Sequence, residues 1–363
     1  MLKYLRRLNE QFMPENLRFG PVVIVFGVNN FCNLHCIMCD VGTGNSETNF
    51  GGNLVGAKTK SMPLELFQHC ADEIAETYPD TRIAFAFTEP LAWKPLGEAL
   101  AYAHERGIYA SVTTNGLLLP RRAKELVDAR CKELAVSLDG PGPIHDAIRR
   151  HNGSYANAIE GIKAVLAMAD PPAISVFCTI TEKNIGALGE FLEGLRGLRL
   201  KRVGFIHNNF ITAAQAEHHN LIFDGLFRTT ASNVFLVDPT KIDIERLSVE
   251  LTEIMASDYP FPVSIQPSLT AKEDLEIYYR QPEHFFGRRC NDAHRILMID
   301  TDGEAIPAHG RCFRFPIANI RNTSLKEIWN HGNLAELRRT LHQAGGLLPA
   351  CSRCCGGFGG FAG

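Results

Sequence analysis

The sequence predicts an α/β fold, a partial (β/α)6 TIM-like barrel, and three observations carry that prediction. From Val22 to about Phe210, strand-like apolar runs alternate with amphipathic helical ones, the pattern of a parallel sheet with helices on its outer face. There are six such units rather than eight, so the barrel is expected to stay open on one side. The chemically distinctive residues fall at the C-terminal ends of the strands, where barrels of this kind gather their function. The expected division is a helix over 1–20, the barrel core over 21–210, a connecting helical region over 211–287 and a cysteine-bearing extension over 288–363.

The elements follow in order. MLKYLRRLNEQF reads as a short amphipathic helix packed on the fold through Leu2, Leu5, Leu8 and Phe12, with membrane-surface contact as a weaker option. Candidate strands are Val22–Val28, Arg82–Phe87, Tyr109–Thr113, Glu133–Leu138, Ile174–Ile180 and Arg202–His207. Helical periodicity covers Pro63–Tyr78, Leu96–Arg106, Arg121–Ala129, Tyr155–Met168 and Asn184–Leu195. The stretch Gly42–Ser61, rich in Gly, Asn and Thr, reads as a loop over the mouth rather than a core element. Between 211 and 287 only Asp243–Met255 shows clear helical spacing. RILMIDTDGEAIPA predicts a hairpin turning at Asp302-Gly303, because Asp-Gly accepts the positive φ of a tight turn. Ser324–Leu341 reads as one helix, and the glycine-rich terminus is expected to be mobile.

Composition excludes several classes. A net charge of −3 without a basic tract gives no reason to expect nucleic-acid binding. No apolar run is long enough to span a bilayer, and the N-terminus lacks the h-region of a signal peptide. Eleven cysteines without an export signal argue against a disulfide framework and for a cytoplasmic location where oxygen is kept low. Cys70, Cys131 and Cys178 lie on helical or strand segments and are expected to be buried core residues.

The other eight cysteines cluster at the two ends of the chain. Cys32, Cys36 and Cys39 form a C-x-x-x-C-x-x-C run just after the first strand. Three thiolates so close on one loop can hold three irons of a [4Fe–4S] cube and leave the fourth iron open for chemistry. Zinc is the alternative, but it needs a fourth ligand, which His35 offers only with awkward geometry. Cys290, Cys312, Cys351 and Cys354 supply four more thiolates, enough to enclose a second cluster, with a four-cysteine zinc as its alternative. Cys355 is left over, as an alternative ligand or an idle thiol.

Further motifs follow in strand order. The second strand ends in Thr88-Glu89-Pro90, the third in TTNG (113–116), and the fourth in VSLDGPGPIHDAIRRHNGSY. With the cysteine triplet ahead of them, these residues make the first 210 positions resemble a radical S-adenosylmethionine enzyme. The C-terminal quarter resembles the single-cluster "twitch" form of the SPASM extension. The resemblance implies that the open iron of the first cluster chelates the methionine part of S-adenosylmethionine. An electron from that cluster then breaks a carbon–sulfur bond and yields a 5′-deoxyadenosyl radical.

It also implies roles for individual residues. Met38 packs on adenine. Thr88 and Glu89 meet the methionine amino group, with Phe87 and Thr88 replacing the family's two glycines. Ser137 and Asp139 address the ribose, and Arg149 pairs with the methionine carboxylate. Thr179 comes from the fifth strand, where Asn184 reads equally well as a helix N-cap. His207 and Asn208, with Asn209, reach the mouth as candidates for substrate binding or proton transfer. A second, fully ligated cluster implies an electron acceptor and a net oxidation of the substrate, or a rearrangement. Only about twenty residues precede the first strand, which favours a small polar metabolite over a peptide or protein side chain. A flavodoxin or ferredoxin is the expected electron donor. A non-catalytic iron–sulfur or zinc protein is the opposing class.

Overall fold

The computed structural model describes residues 2–56 and 58–358; the side chains of Leu2 and Lys3 and the tail from 359 lie outside the described residues. Seven strands run in parallel: β1 (Val23–Phe26), β2 (Arg82–Phe85), β3 (Ala110–Thr114), β4 (Glu133–Ser137), β5 (Ala173–Ile180), β6 (Arg202–His207) and β7 (Val263–Gln266). Two more, β8 (Ile296–Ile299) and β9 (Ala305–Pro307), complete one sheet of order β7-β6-β5-β4-β3-β2-β1-β8-β9. Only the β8–β9 pair is antiparallel. The arrangement is the open, partial barrel expected, but larger than six strands.

Two additions account for the difference. β7 sits in the region read as a helical connection, and its four residues are too few to show a period. The predicted hairpin exists, with Gly303 at φ +89°, yet β8 pairs in parallel with β1, Val23 against Ile296 through Phe26 against Ile299. The C-terminal segment therefore shares the barrel's sheet.

The strands show why they face as they do. β1 is buried on both sides, as a central parallel strand must be. On β3 and β4 burial alternates, so Val112, Thr114, Leu134 and Val136 meet the helices, while Thr113, Ala135 and Ser137 face the lumen. The helix Leu64–Thr77 turns Leu66, Phe67, Cys70, Ala71 and Ile74 inward at helical spacing. Cys70, Cys131 and Cys178 are buried as expected, and burial pushes the Cys131 thiol up to about 12.

Several local readings change. The stretch 42–61 is not plain loop: Asn49–Leu54 is a helix whose Phe50 and Leu54 pack in one cluster with Val25 and Met298. Ser324–Leu341 breaks into Leu325–Trp329, opened by a Ser324/Glu327 capping box, and Gly332–Gln343. The helix after β5 starts at Leu188, so Asn184 does not cap it. The N-terminal helix, Leu2–Phe12, leaves Leu5 and Phe12 exposed. It docks instead through Glu10, buried between Arg289 and Arg295, and through Arg6 on the Gly20 carbonyl. No described helix is long and apolar enough to cross a membrane.

Candidate metal and cofactor sites

The loop after β1 carries Cys32, Cys36 and Cys39 and is pinned from outside. His35 N donates to Arg149 O at 3.3 Å and Ile37 N to Ile148 O at 3.0 Å, so the last turn of the helix Gly142–Arg149 sets the loop's path. On the far side, Asp40 is buried and accepts from Ser232 Oγ (2.7 Å) and Asn233 N (3.0 Å). Leu34, Cys36, Met38, Ile148 and Val237 form the apolar packing beneath, and Cys32 and Cys39 pack against it. Met38 thus lies within the loop's own small core.

Two of the three thiols are shifted by their surroundings. Burial, then Cys36 and Glu89, push Cys32 up to about 12. Burial pushes Cys36 up to about 11 against the pull of Arg149. Thiols buried this way need a cation to become thiolates, and a metal centre supplies it. A single zinc at about 2.3 Å from each sulfur would draw the sulfurs to about 3.8 Å apart. Among the described residues, the one trio of ligand atoms within 4.8 Å is His309, Cys354 and Cys355. Three thiols on one loop make a donor set that fits an iron–sulfur cube.

The other predicted residues divide into those that brace the loop and those that do not reach it. Glu89 has no exposed surface, and its carboxylate is fully engaged by the chain. Oε1 accepts from Leu91 N (2.9 Å) and Thr114 Oγ1 (2.7 Å), and Oε2 from Asn115 N (2.8 Å). Burial pushes its acid up and these three donors pull it back, with burial the larger. In the structure the Glu89 carboxylate braces β2 to β3. Thr88 Oγ1 is buried and has no hydrogen-bond partner among the described residues, an open polar atom in the same turn. Phe87, in the place of a glycine, holds φ +76°, the left-handed conformation that glycine adopts without cost.

Asp139 is likewise held within the chain. It is buried, takes Arg149 Nε at 2.5 Å and Thr179 N at 2.8 Å, and its backbone N–H donates to His145 Nδ1. Arg149 in turn places Nη1 3.5 Å from Cys36 Sγ. Burial opposes the Arg149 charge, but Asp139 and Cys36 outweigh it and raise the guanidinium further. Its Nε and Nη1 meet a carboxylate and a thiol of the chain. Asn184 ties the ends of β4 and β5 through Asp139 O and Thr179 O. Ser137 and Thr179 stand on the lumen side of the sheet.

His207 is held by the core. It is fully buried, Nδ1 is 2.8 Å from Tyr279 Oη, Nε2 is 3.1 Å from Leu269 O, and burial lowers its pKa to about 4. Both ring nitrogens are spent in the core, so it offers no proton transfer at the mouth. Asn208 is buried as well, with its amide 3.5 Å from Asn233 O. Asn209 does line a cavity.

Sequence reasoning passed over Asn115 as a site residue, although TTNG was noted. Its amide spans Asn33 Oδ1 (2.7 Å) and Cys32 Sγ (3.7 Å), linking Glu89 to the first cysteine.

At the second set, Cys290, Cys312, Cys351 and Cys354 line one mostly apolar cavity with Asp292 and His309. Burial, then Asp292 and the other three thiols, drive Cys290 well up. Hydrogen bonds from Cys355 and His309 instead pull Cys354 well down against burial. Cys355 lies with its sulfur 3.5 Å from His309 Nε2. Asp292 is buried, which pushes its acid up to about 6, and it faces His309 at 3.5 Å. Four thiols around one cavity fit a second cluster. No spacing rule marks His309 or Asp292.

The comparisons decide the family. The Radical SAM superfamily profile matches residues 27–193, and the SPASM iron-sulfur cluster-binding domain matches 290–355. The chain is a radical SAM protein with a SPASM domain. Its cofactors are accordingly S-adenosylmethionine and a [4Fe–4S] cluster, with additional iron–sulfur from the SPASM domain. It is 22% identical over 358 residues to the AdoMet-dependent heme synthase of Nitratidesulfovibrio vulgaris, covering 92% of this chain and 86% of that protein. It is 27% identical over 186 residues to the Fe-coproporphyrin III synthase of Methanosarcina barkeri, 51% of this chain and 43% of that one. Among solved structures, SuiB of Streptococcus suis bound to its precursor peptide SuiA has a TM-score of 0.61 at 14% identity, over 99% of this chain and 76% of SuiB. That likeness speaks for the fold.

Proposed function

We propose that this radical SAM chain oxidises a small polar molecule by taking a hydrogen atom from it, with the second cluster accepting the electron left behind. One observation carries the reading: a single cavity is lined both by Asn209, Ser232 and Asn233 and by Cys312, Cys351 and Cys354. Ser232 and Asn233 hold Asp40, the residue after Cys39, so a molecule in that cavity lies between the two cysteine sets. When bound, S-adenosylmethionine and the clusters supply the 5′-deoxyadenosyl radical and the electron acceptor.

In this reading Cys32, Cys36 and Cys39 hold the first cluster and Cys290, Cys312, Cys351 and Cys354 the second. Arg149, kept charged by Asp139, steadies the Cys36 thiolate. Thr88, Ser137 and Thr179 face the cofactor, with Met38 packing below it. The near full-length match to a heme synthase supports a small-molecule substrate over a peptide. The division at 20, 210 and 287, a cytoplasmic location and a flavodoxin- or ferredoxin-type donor belong to the same proposal.

The test is anaerobic. Reconstituted, reduced protein is mixed with S-adenosylmethionine and 5′-deoxyadenosine is measured. Its formation supports catalysis, and its absence removes the reading. A Cys351→Ala, Cys354→Ala variant that keeps one cluster and still oxidises substrate would remove the role of the second.

A further inference from the structure

The cavity lined by Asn209, Ser232 and Asn233 together with Cys312, Cys351 and Cys354 holds a guanidinium with no carboxylate ion pair among the described residues. Arg311 lines it, while no aspartate or glutamate does. Its Nη1 is shielded from water and has no hydrogen-bond partner among the described residues. A guanidinium so placed is costly unless an anion meets it. The other arginine at the wall, Arg353, is already spent on the carbonyls of Ile277, Tyr278, Gln281 and His284.

The position of the Arg311 head is informative. Its backbone adjoins Cys312, but its Cζ lies 4.7 Å from the centroid of the Phe50 ring. Phe50 belongs to the packing cluster against which Phe87, Cys32 and Cys39 rest. The head therefore packs on the cluster that Cys32 and Cys39 also rest against, while its charge acts on Cys355 and His309 of the second set. Asn209 and Thr229 add neutral polar groups, and Phe210 and Phe313 add apolar wall.

We propose that this cavity is a carboxylate subsite, in which Arg311 takes the carboxylate of the substrate. Of the two guanidinium groups that line the cavity, Arg311 is the one with an N–H left without a partner among the described residues. A guanidinium fork suits the planar carboxylate and holds it in one orientation. Calling the ligand a substrate rests on the catalytic reading above; the subsite itself does not.

The probe is benzoate, with benzamide as its neutral counterpart, titrated calorimetrically into the anaerobic, reconstituted holoprotein. Benzoate is expected to bind roughly tenfold or more tightly than benzamide, and Arg311→Gln to lose that advantage. Arg311→Lys is expected to keep part of it, as a point charge without the fork. Equal binding of the two probes by the wild-type protein overturns the subsite, whether or not the variants fold. So does an Arg311→Gln protein that binds benzoate as before but shifts the second cluster's EPR spectrum, which would make Arg311 that cluster's counter-charge. Wild-type 5′-deoxyadenosine formation is scored separately. Benzoate selectivity without it leaves the subsite and removes the catalytic reading; the reverse removes the subsite alone.

Discussion

Glu89→Gln separates two roles for one carboxylate. In the structure Glu89 accepts three hydrogen bonds, from Leu91 N, Thr114 Oγ1 and Asn115 N, at 2.7 to 2.9 Å. A glutamine must set its NH2 against at least one of those donors. The least damaging orientation puts it at the Oε2 position, facing Asn115 N, and keeps the two bonds at Oε1. The change then removes one charge-assisted bond and strands one buried N–H, a cost of about 2–4 kcal/mol. The damage has an address, because Asn115 is the residue whose amide reaches Cys32 Sγ. Urea unfolding of wild type and variant, with iron content after reconstitution, reads both effects. The expected result is a midpoint lowered by about 1 M, taking a slope of about 3 kcal/mol/M, together with poorer retention of the first cluster. If Glu89→Gln unfolds at the wild-type midpoint, keeps its iron and only binds S-adenosylmethionine more weakly, the carboxylate faces the cofactor's ammonium and the brace argument fails.

Two further predictions concern the scaffold. His207 has its pKa depressed to about 4 by burial, against about 6.5 unfolded. Its contribution to stability is therefore complete above pH 6.5 and is lost as pH falls toward 4, about 2 kcal/mol of it by pH 5. Urea midpoints at pH 7 and pH 5 should converge in His207→Gln relative to wild type; an unchanged gap assigns the acid sensitivity elsewhere. Gly116 has φ +81°, and a Cβ there would sit 2.5 Å from Ala158 Cβ. Gly116→Ala is expected to cost about 2–4 kcal/mol from backbone strain plus overpacking. Adding Ala158→Gly should return the packing part in a double-mutant cycle, and no recovery would refute the contact as its source.

What was legible in the chain follows the range of the signal. Six parallel strands and their helices could be read because each is a local period, and the cysteine triplet because its spacing is itself the chemistry. The β1–β8 pairing could not, since nothing in ILMI names a partner some 270 residues earlier. His207 stands at a strand end with its ring held by the core. Its partner Tyr279 lies on the helix Lys272–Arg280, in the stretch whose pattern was weakest. Glu89, Asp139 and Arg149 stood out because charged residues at strand ends invite a ligand. Their first obligation proved to be to one another and to the cysteine loop, since buried charges must be paired before anything binds.

Phe87 shows what the departure from two glycines achieves. A bulky residue at φ +76° is strained by about 1–3 kcal/mol, and such strain persists only where packing over-determines it. Here the packing is specific. The Phe87 ring stacks on His309 with centroids 5.6 Å apart and meets Phe50 edge-on at 6.2 Å, and Phe50 carries Arg311 on its face. A glycine would remove the strain and also the contact between the β2 turn and His309. His309 in turn lies beside Cys354 and Cys355. The strained residue thus joins the turn beside the first cysteine set to the wall of the second. The spacing of the two sites rests on ring-to-ring contact as well as on the shared sheet.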